Sequence, residues 1–358
     1  MVICPSSREG MVSATGHPFL VSDEPPNPEG QVRSVQEHAL ELVESMQRVV
    51  RDWRPDVILR EPFYYVSAEV ALRLGIPDAQ VAIGLAGYLW ERIEKASPWL
   101  DAVRTGLADE FRSSPFLTRL PACLDASPFP DTWRYREPAA GPGGALPPWW
   151  PNSGAPLVYV SLGTEVSGRP AAVEVYRAVI NSVAGLDVRV LVSVGRDFDL
   201  SQLQGVPANV RVEPWVDQDN VLAEARLMVS HGGSGSVYGS LAAGVPVVVI
   251  PMFADHFANA TAVVTAGAGL QIPPGQDAEE RHNLVWLEDI PRLRRAIQAG
   301  LGEAIEAVLS DGSYRHAAQA VAAEMAAAPT IGELLDRLPH RRATRSPGVT
   351  DSSGLPFN

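Results

Sequence analysis

Leu227-Met228-Val229-Ser230-His231-Gly232-Gly233-Ser234-Gly235-Ser236-Val237-Tyr238-Gly239-Ser240-Leu241-Ala242-Ala243-Gly244-Val245-Pro246 is the stretch that decides the fold. The apolar run Leu227-Met228-Val229 reads as a buried strand. Val237 to Ala243 reads as a short helix, ended by Gly244 and Pro246. The Gly-rich turn thus sits where a strand hands over to a helix N-terminus. There the first backbone N–H groups are unpaired and the helix dipole is positive. Glycines let phosphate oxygens come close, since no Cβ intervenes. His231 can add a ring N–H to the same anion. The turn is therefore expected to hold a diphosphate.

Working outward, the surrounding sequence alternates strand and helix. Strands are predicted at 157–161, 188–194, 210–213, 227–230, 247–250 and 270–272. Helices are predicted at 170–184, 219–224, 236–243, 257–266, 289–309 and 313–327. This is the pattern of a doubly wound parallel sheet, in which ligands sit outside the carboxyl ends of the strands. The loops 162–167, 214–218, 231–236 and 251–256 lie at such ends and are expected to converge on one crevice.

The first half alternates as well. Apolar residues from Val32 to Trp53 keep helical steps of three and four, and Pro55 ends that helix. A strand is predicted at 57–59, a helix at 64–74, a strand at 81–83, and a helix from Ser97-Pro98 to about Phe111. Met1-Val2-Ile3-Cys4 reads as a strand already under way, so a strand and helix are expected to precede it. Between Glu137 and Pro156 the composition turns to proline and glycine, the mark of a connector. Trp149 and Trp150 within it are read as packing against a domain face rather than touching a ligand. The expected layout is an N-terminal domain at 1–137, a linker at 138–155, a C-terminal domain at 156–339 and a disordered tail at 340–358.

The bulk numbers narrow the function. The 358 residues suffice for two domains, and 46% hydrophobic with 20% charged residues fits a globular chain. A net charge of −13 speaks against general nucleic-acid or anionic-membrane binding. No apolar run approaches the roughly 20 residues of a spanning helix, and the N-terminus has no signal-peptide pattern. Cys4 and Cys123 are the only cysteines, too few for a disulfide framework or a cysteine zinc site. A cytoplasmic address is expected. The Gly-rich turn also departs from two common phosphate motifs. Tyr238 stands where G-x-G-x-x-G needs its last glycine, and there is no P-loop lysine.

Three segments carry a specific likeness: Val160-Ser161-Leu162-Gly163-Thr164, Glu213-Pro214-Trp215-Val216-Asp217-Gln218, and His231 through His256. In order and spacing they resemble the nucleotide-sugar site of GT-B glycosyltransferases, of the family that glycosylates lipophilic small molecules and bacterial natural products. The resemblance covers residues 155–275 well and the region before 150 loosely. It implies two Rossmann-like domains facing a cleft, the N-terminal one incomplete. It implies inverting transfer of a sugar from a dTDP- or UDP-sugar to a hydroxyl of a lipophilic acceptor, such as a polyketide or macrolide. The nucleotide sugar is a co-substrate, and neither a cofactor nor a metal is expected.

The resemblance also distributes roles. Trp215 is a core aromatic on the plain reading and the base-stacking ring on the family's, with Val216 backbone groups at the base edge and Gln218 at the ribose. Asp219 is read as the next helix's N-cap. His231 and the turn residues Gly232, Gly233, Ser234, Gly235 and Ser236 receive the diphosphate. Ser161, Gly163 and Thr164 reach the phosphates or sugar, or are plain turn chemistry. Asp255 and His256 contact the sugar, with Asp255 also a good N-cap; the family usually has Asp-Gln there. Gly239 replaces a glutamate that grips the ribose hydroxyls in plant members, which leans toward a dTDP-type donor. Glu61 matches the acid that orients the catalytic histidine, or is a surface loop charge. The histidine itself has no counterpart, and His17 reads as a loop residue. A non-catalytic nucleotide-sugar-binding protein is the alternative, and a sugar-nucleotide epimerase on the same fold is a third.

Overall fold

The computed structural model describes residues 2–5, 19–22, 32–138, 146–149, 154–163, 166, 168–169, 171–273 and 289–337. Side chains are described from residue 42 onward. Thr164, His17, Trp150, much of the connector and the tail fall outside these ranges.

The second half forms a six-stranded sheet. Its strands are β7 (Leu157–Ser161), β8 (Arg189–Ser193), β9 (Val210–Glu213), β10 (Leu227–Ser230), β11 (Val247–Val249) and β12 (Gly269–Gln271). All pairings are parallel, in the spatial order β12-β11-β10-β7-β8-β9. The chain starts at the centre, winds to one edge, returns and winds to the other. This is the dinucleotide-fold order, and its reversal lies between β7 and β10. There Ser161 and Ser230 end their strands side by side. Valines dominate these strands because both faces are covered by helices. The largest buried cluster joins the sheet to α5 (Ala172–Val183) and α9 (Ile290–Ser310). The other face is closed by α6 (Gln218–Glu224), α7 (Ser234–Ala242), α8 (His256–Thr265) and α10 (Gly312–Ala327).

The first half carries a four-stranded parallel sheet of β3 (Ile58–Arg60), β4 (Asp78–Val81), β5 (Phe116–Thr118) and β6 (Thr132–Arg134), in that order. Its helices are α1 (Val32–Trp53), α2 (Tyr65–Leu74), α3 (Ala86–Val103) and α4 (Leu107–Ser113). β1 (Val2–Pro5) and β2 (Phe19–Ser22) pair in parallel as a separate two-stranded sheet.

Here several expectations need correction. β4 lies at 78–81, not 81–83: Val81 is its last residue, the Ala82 N–H still donates to the Leu117 carbonyl, and Ile83 beyond them is exposed. The single helix expected from Ser97 to Phe111 is two helices, parted by the positive φ of Gly106. Pro98 lies inside α3 rather than opening a helix. Proline removes one helical donor, and the hydroxyl of Ser97 donates to the nearby Ile93 carbonyl at 2.9 Å. β2, β5 and β6 were not anticipated. The N-cap of α6 is Asp217, whose carboxylate accepts from the N–H groups of Asp219 and Asn220. Asp219 sits in the first turn, where its charge still suits the dipole. Trp149 packs, as expected, against the cluster of Leu157, Tyr159 and Leu191.

The two halves meet at the carboxyl ends of their sheets. Leu85, beyond β4, shares one buried cluster with Leu120, Leu124 and the α7 residues Val237, Tyr238 and Leu241. The chain then returns. Arg136 bridges in parallel to Thr330, and α11 (Ile331–Leu335) packs Ile331 and Leu335 against Trp133, Tyr135 and Ala79. Among the described residues no helix is long and apolar enough to cross a membrane.

Candidate functional site

A cavity of about 530 Å³ opens at the reversal between β7 and β10. All four expected loops contribute to it. Ser161 and Gly163 come from the β7 end, and Pro214, Trp215, Val216 and Gln218 from the β9 end. His231, Gly233, Ser234, Gly235 and Ser236 follow β10, and Phe253 and His256 follow β11. Sequence reasoning missed Tyr159, Ser193 and Gly195 in the wall. The signal was available: β8 neighbours β7, so its carboxyl end faces the same crevice.

His231 is the most constrained residue of the site. It is 8% exposed. Its Nε2 edge fits between two glycines: a Cβ at Gly163 would lie 2.5 Å from Nε2, and one at Gly233 closer still. Gly163 also has a φ of +76°, which favours glycine. Nδ1 of His231 is buried and without a hydrogen-bond partner among the described residues. Burial lowers the ring's pKa to about 4, with the Ser161 backbone and the charge of Asp255 pulling the other way. A neutral, pinned imidazole at the head of a helix offers an N–H to an anion.

His256 is 4% exposed. Its ring meets that of His231 edge to face, centroids 4.6 Å apart, and tilts against Phe253 at 4.2 Å. Burial first, and then His231, lower its pKa to about 3. Its Nδ1 accepts from the Phe253 N–H at 3.4 Å, so the neutral ring carries its proton on Nε2.

Gly233 caps α7 with no side-chain hydrogen bond, which leaves the head of that helix open to the cavity. Gly232 and Asp255 are not in the wall. Gly232 has a φ of +98°, and a Cβ there would meet the Cβ of His256 at 2.9 Å. Its glycine serves the packing of the turn on α8. Asp255 precedes α8 but makes no capping bond. Its Oδ2 accepts from the Ser234 hydroxyl at 2.7 Å and the Asn259 amide at 3.0 Å. Asn259 also donates to the Gly232 carbonyl and accepts from the Tyr238 hydroxyl. This network locks α7 to α8 and spends one oxygen of Asp255. Gly84, beyond β4, abuts it: a Cβ there would lie 3.5 Å from both Asp255 Oδ2 and Ser234 Oγ.

Trp215 is not a core aromatic. It is 54% exposed at the rim, with the Arg196 guanidinium 4.4 Å from its ring centre. The Gln218 amide occupies the space over Gly239, where a Cβ would come within 2.8 Å of its Nε2. Glu61 follows β3 in the other sheet and is half-buried rather than a free surface charge. Its Oε1 is buried without a hydrogen-bond partner among the described residues, and burial raises its pKa. Among the described residues no three His, Cys, Asp or Glu side chains are grouped to hold a metal ion.

Comparison with known proteins bears on the fold and the family. The profile of the erythromycin biosynthesis protein CIII-like C-terminal domain matches residues 177–340, and that of its N-terminal domain matches residues 29–122. L-demethylnoviosyl transferase of Streptomyces niveus is 28% identical over 323 residues, spanning 87% of this chain and 78% of that protein. The calicheamicin glycosyltransferase CalG4 superposes with a TM-score of 0.71 at 20% identity, over 96% of this chain and 91% of that one. The spinosyn rhamnosyltransferase SpnG, solved with thymidine diphosphate, gives 0.67 at 19% identity, over 93% and 90%. The architecture is the GT-B fold.

Proposed function

The chain belongs to the erythromycin biosynthesis protein CIII-like glycosyltransferase family, and on that premise we propose that it moves a sugar, with inversion, from a dTDP- or UDP-sugar to a hydroxyl of a lipophilic small molecule. The observation that carries this is the cavity at the β7–β10 reversal. An exposed indole stands at its rim, and an imidazole is pinned at the helix head within it. In this reading Trp215 stacks on the base, Val216 pairs with its edge and Gln218 meets the ribose. The diphosphate lies on the head of α7 and His231, whose donors stabilise the leaving group as charge develops. Ser161, Gly163 and Thr164 flank the phosphates, and Asp255 and His256 face the sugar. The acceptor enters from residues 1–137, where Glu61 stands at the position of the carboxylate that orients the family's catalytic histidine. No cofactor or metal enters the reaction, and the reaction is cytoplasmic.

The dTDP side is favoured. Gly239 has no carboxylate to grip two ribose hydroxyls, and one solved relative carries thymidine diphosphate. Calorimetric titration with dTDP and with UDP tests the reading. Saturable binding, tighter for dTDP, is expected. Trp215→Ala removes a stacking platform of about 1–3 kcal/mol, so its affinity is expected to fall roughly ten-fold or more. A folded chain that binds neither nucleotide would overturn the donor site.

A further inference from the structure

This inference rests on the donor-site reading and concerns the charge balance of that site. A nucleotide sugar brings at least two negative charges, and the diphosphate left after transfer brings one more. The cavity wall, among the described residues, holds neither lysine nor arginine. The chain as a whole carries −13. A helix head supplies only about half a positive charge. The groups in the wall that can become cations are two imidazoles, His231 and His256.

The two rings are not equivalent. His256 uses Nδ1 to accept the Phe253 N–H, and a second proton on that nitrogen would break the bond. His231 has no such bond on Nδ1. Its Nε2 edge lies between Gly163, beyond β7, and Gly233, which caps α7. We propose that His231 takes up a proton when the nucleoside diphosphate binds, while His256 stays neutral as its edge-to-face partner.

Beyond the wall residues themselves, the Arg196 guanidinium stands 4.4 Å from the centre of the Trp215 ring at the rim. Asp255 acts on His231 from the start of α8 and favours the cation. Tyr88 of α3 lies within the field of Asp255. Tyr159 of β7 and Tyr238 of α7 are held above the usual phenol range by burial and stay neutral. The Arg169 guanidinium stands 5.5 Å from the Phe253 ring centre. Burial keeps both rings neutral, outweighing Asp255 at His231 and reinforced by His231 at His256. A bound diphosphate reverses that balance for His231.

The consequence for transfer balances atom by atom. The bond between the anomeric carbon and the diphosphate oxygen breaks, and its electron pair stays on that oxygen. The acceptor oxygen forms the new bond, and its proton leaves to solvent water. The imidazolium proton remains on His231 and offsets the added charge on the leaving group.

The test is the protonation curve of each ring, read from histidine ring carbon–proton spectra of the full chain with and without saturating dTDP. His231→Gln and His256→Gln assign the signals. Should either fail to fold, the pair is recognised by midpoints well below that of a free imidazole and by their mutual ring contact. The expected result is a rise of the His231 midpoint from about 4 to above about 7, three pH units or more, on saturation, with His256 neutral throughout. Bound dTDP with an unmoved His231 midpoint, or with His256 as the cation, overturns the inference and leaves the donor site standing. Absence of dTDP and UDP binding by calorimetry overturns the donor site itself.

Discussion

Gly163 illustrates how little freedom the site allows a single residue. Its positive φ and the His231 ring at 2.5 Å from a Cβ position both exclude a side chain. Gly163→Ala is expected to cost about 1–3 kcal/mol of stability and to weaken dTDP binding, measurable by thermal unfolding and calorimetry on one sample. The two histidines make a separate prediction about acid. Both are neutral in the folded chain, with pKa values lowered to about 4 and about 3. The unfolded chain takes up those protons near pH 6.5. Stability from these groups is therefore full above about pH 6.5 and is lost as pH falls toward 4. For His231 alone the loss amounts to about 3 kcal/mol. Unfolding temperatures measured from pH 7.5 down to 4.5 check it, and the slope is expected to be shallower in His256→Gln.

Single elements depend on partners that a linear reading shows only in part. Arg60, 4% exposed, ends β3; it donates to Asp78 of β4 at 2.9 Å and lies 4.1 Å from the Phe111 ring centre. A buried charge that loses its partner is costly. Asp78→Ala is expected to destabilise by about 3–5 kcal/mol, read by denaturant unfolding. Neither residue announced this role in the sequence, since the pairing joins two strands across a helix. The long elements were legible. Helical steps marked 32–53, because periodicity needs length to show, and apolar runs marked β7, β8, β10 and β11, the last only three residues long. β5 and β6 have three residues each and carry no period. The site was legible for a different reason: a strand, a glycine turn and a helix lie consecutively at 227–243, so local chemistry specifies them. Ser193, Gly195 and the Asp255–Asn259 network are brought in by the sheet order, which no local stretch encodes.

At the scale of the whole molecule the halves are joined near residues 120–125 and again at 329–335. Glu324 of α10 accepts from the backbone N–H of Ala122 at 2.6 Å and of Cys123 at 3.4 Å. Partial burial, and then this carboxylate, push the Cys123 thiol up to about 11. A thiol so raised reacts slowly with alkylating agents at pH 8. Glu324→Ala is expected to speed alkylation of Cys123 several-fold, followed by peptide mass analysis, and an unchanged rate would show that Glu324 does not hold the junction. The return of the chain to its first sheet has one more consequence. The neighbour of β6 beyond Arg134 is Thr330, with α11 laid over the same face. On the ribosome the β3–β6 layer emerges well before that cover is synthesised. The nascent chain thus carries an open strand edge for the time it takes to translate the entire second sheet. Translation speed through residues 157–330 then sets how long the newborn protein is exposed to aggregation, a cost absent from the finished molecule.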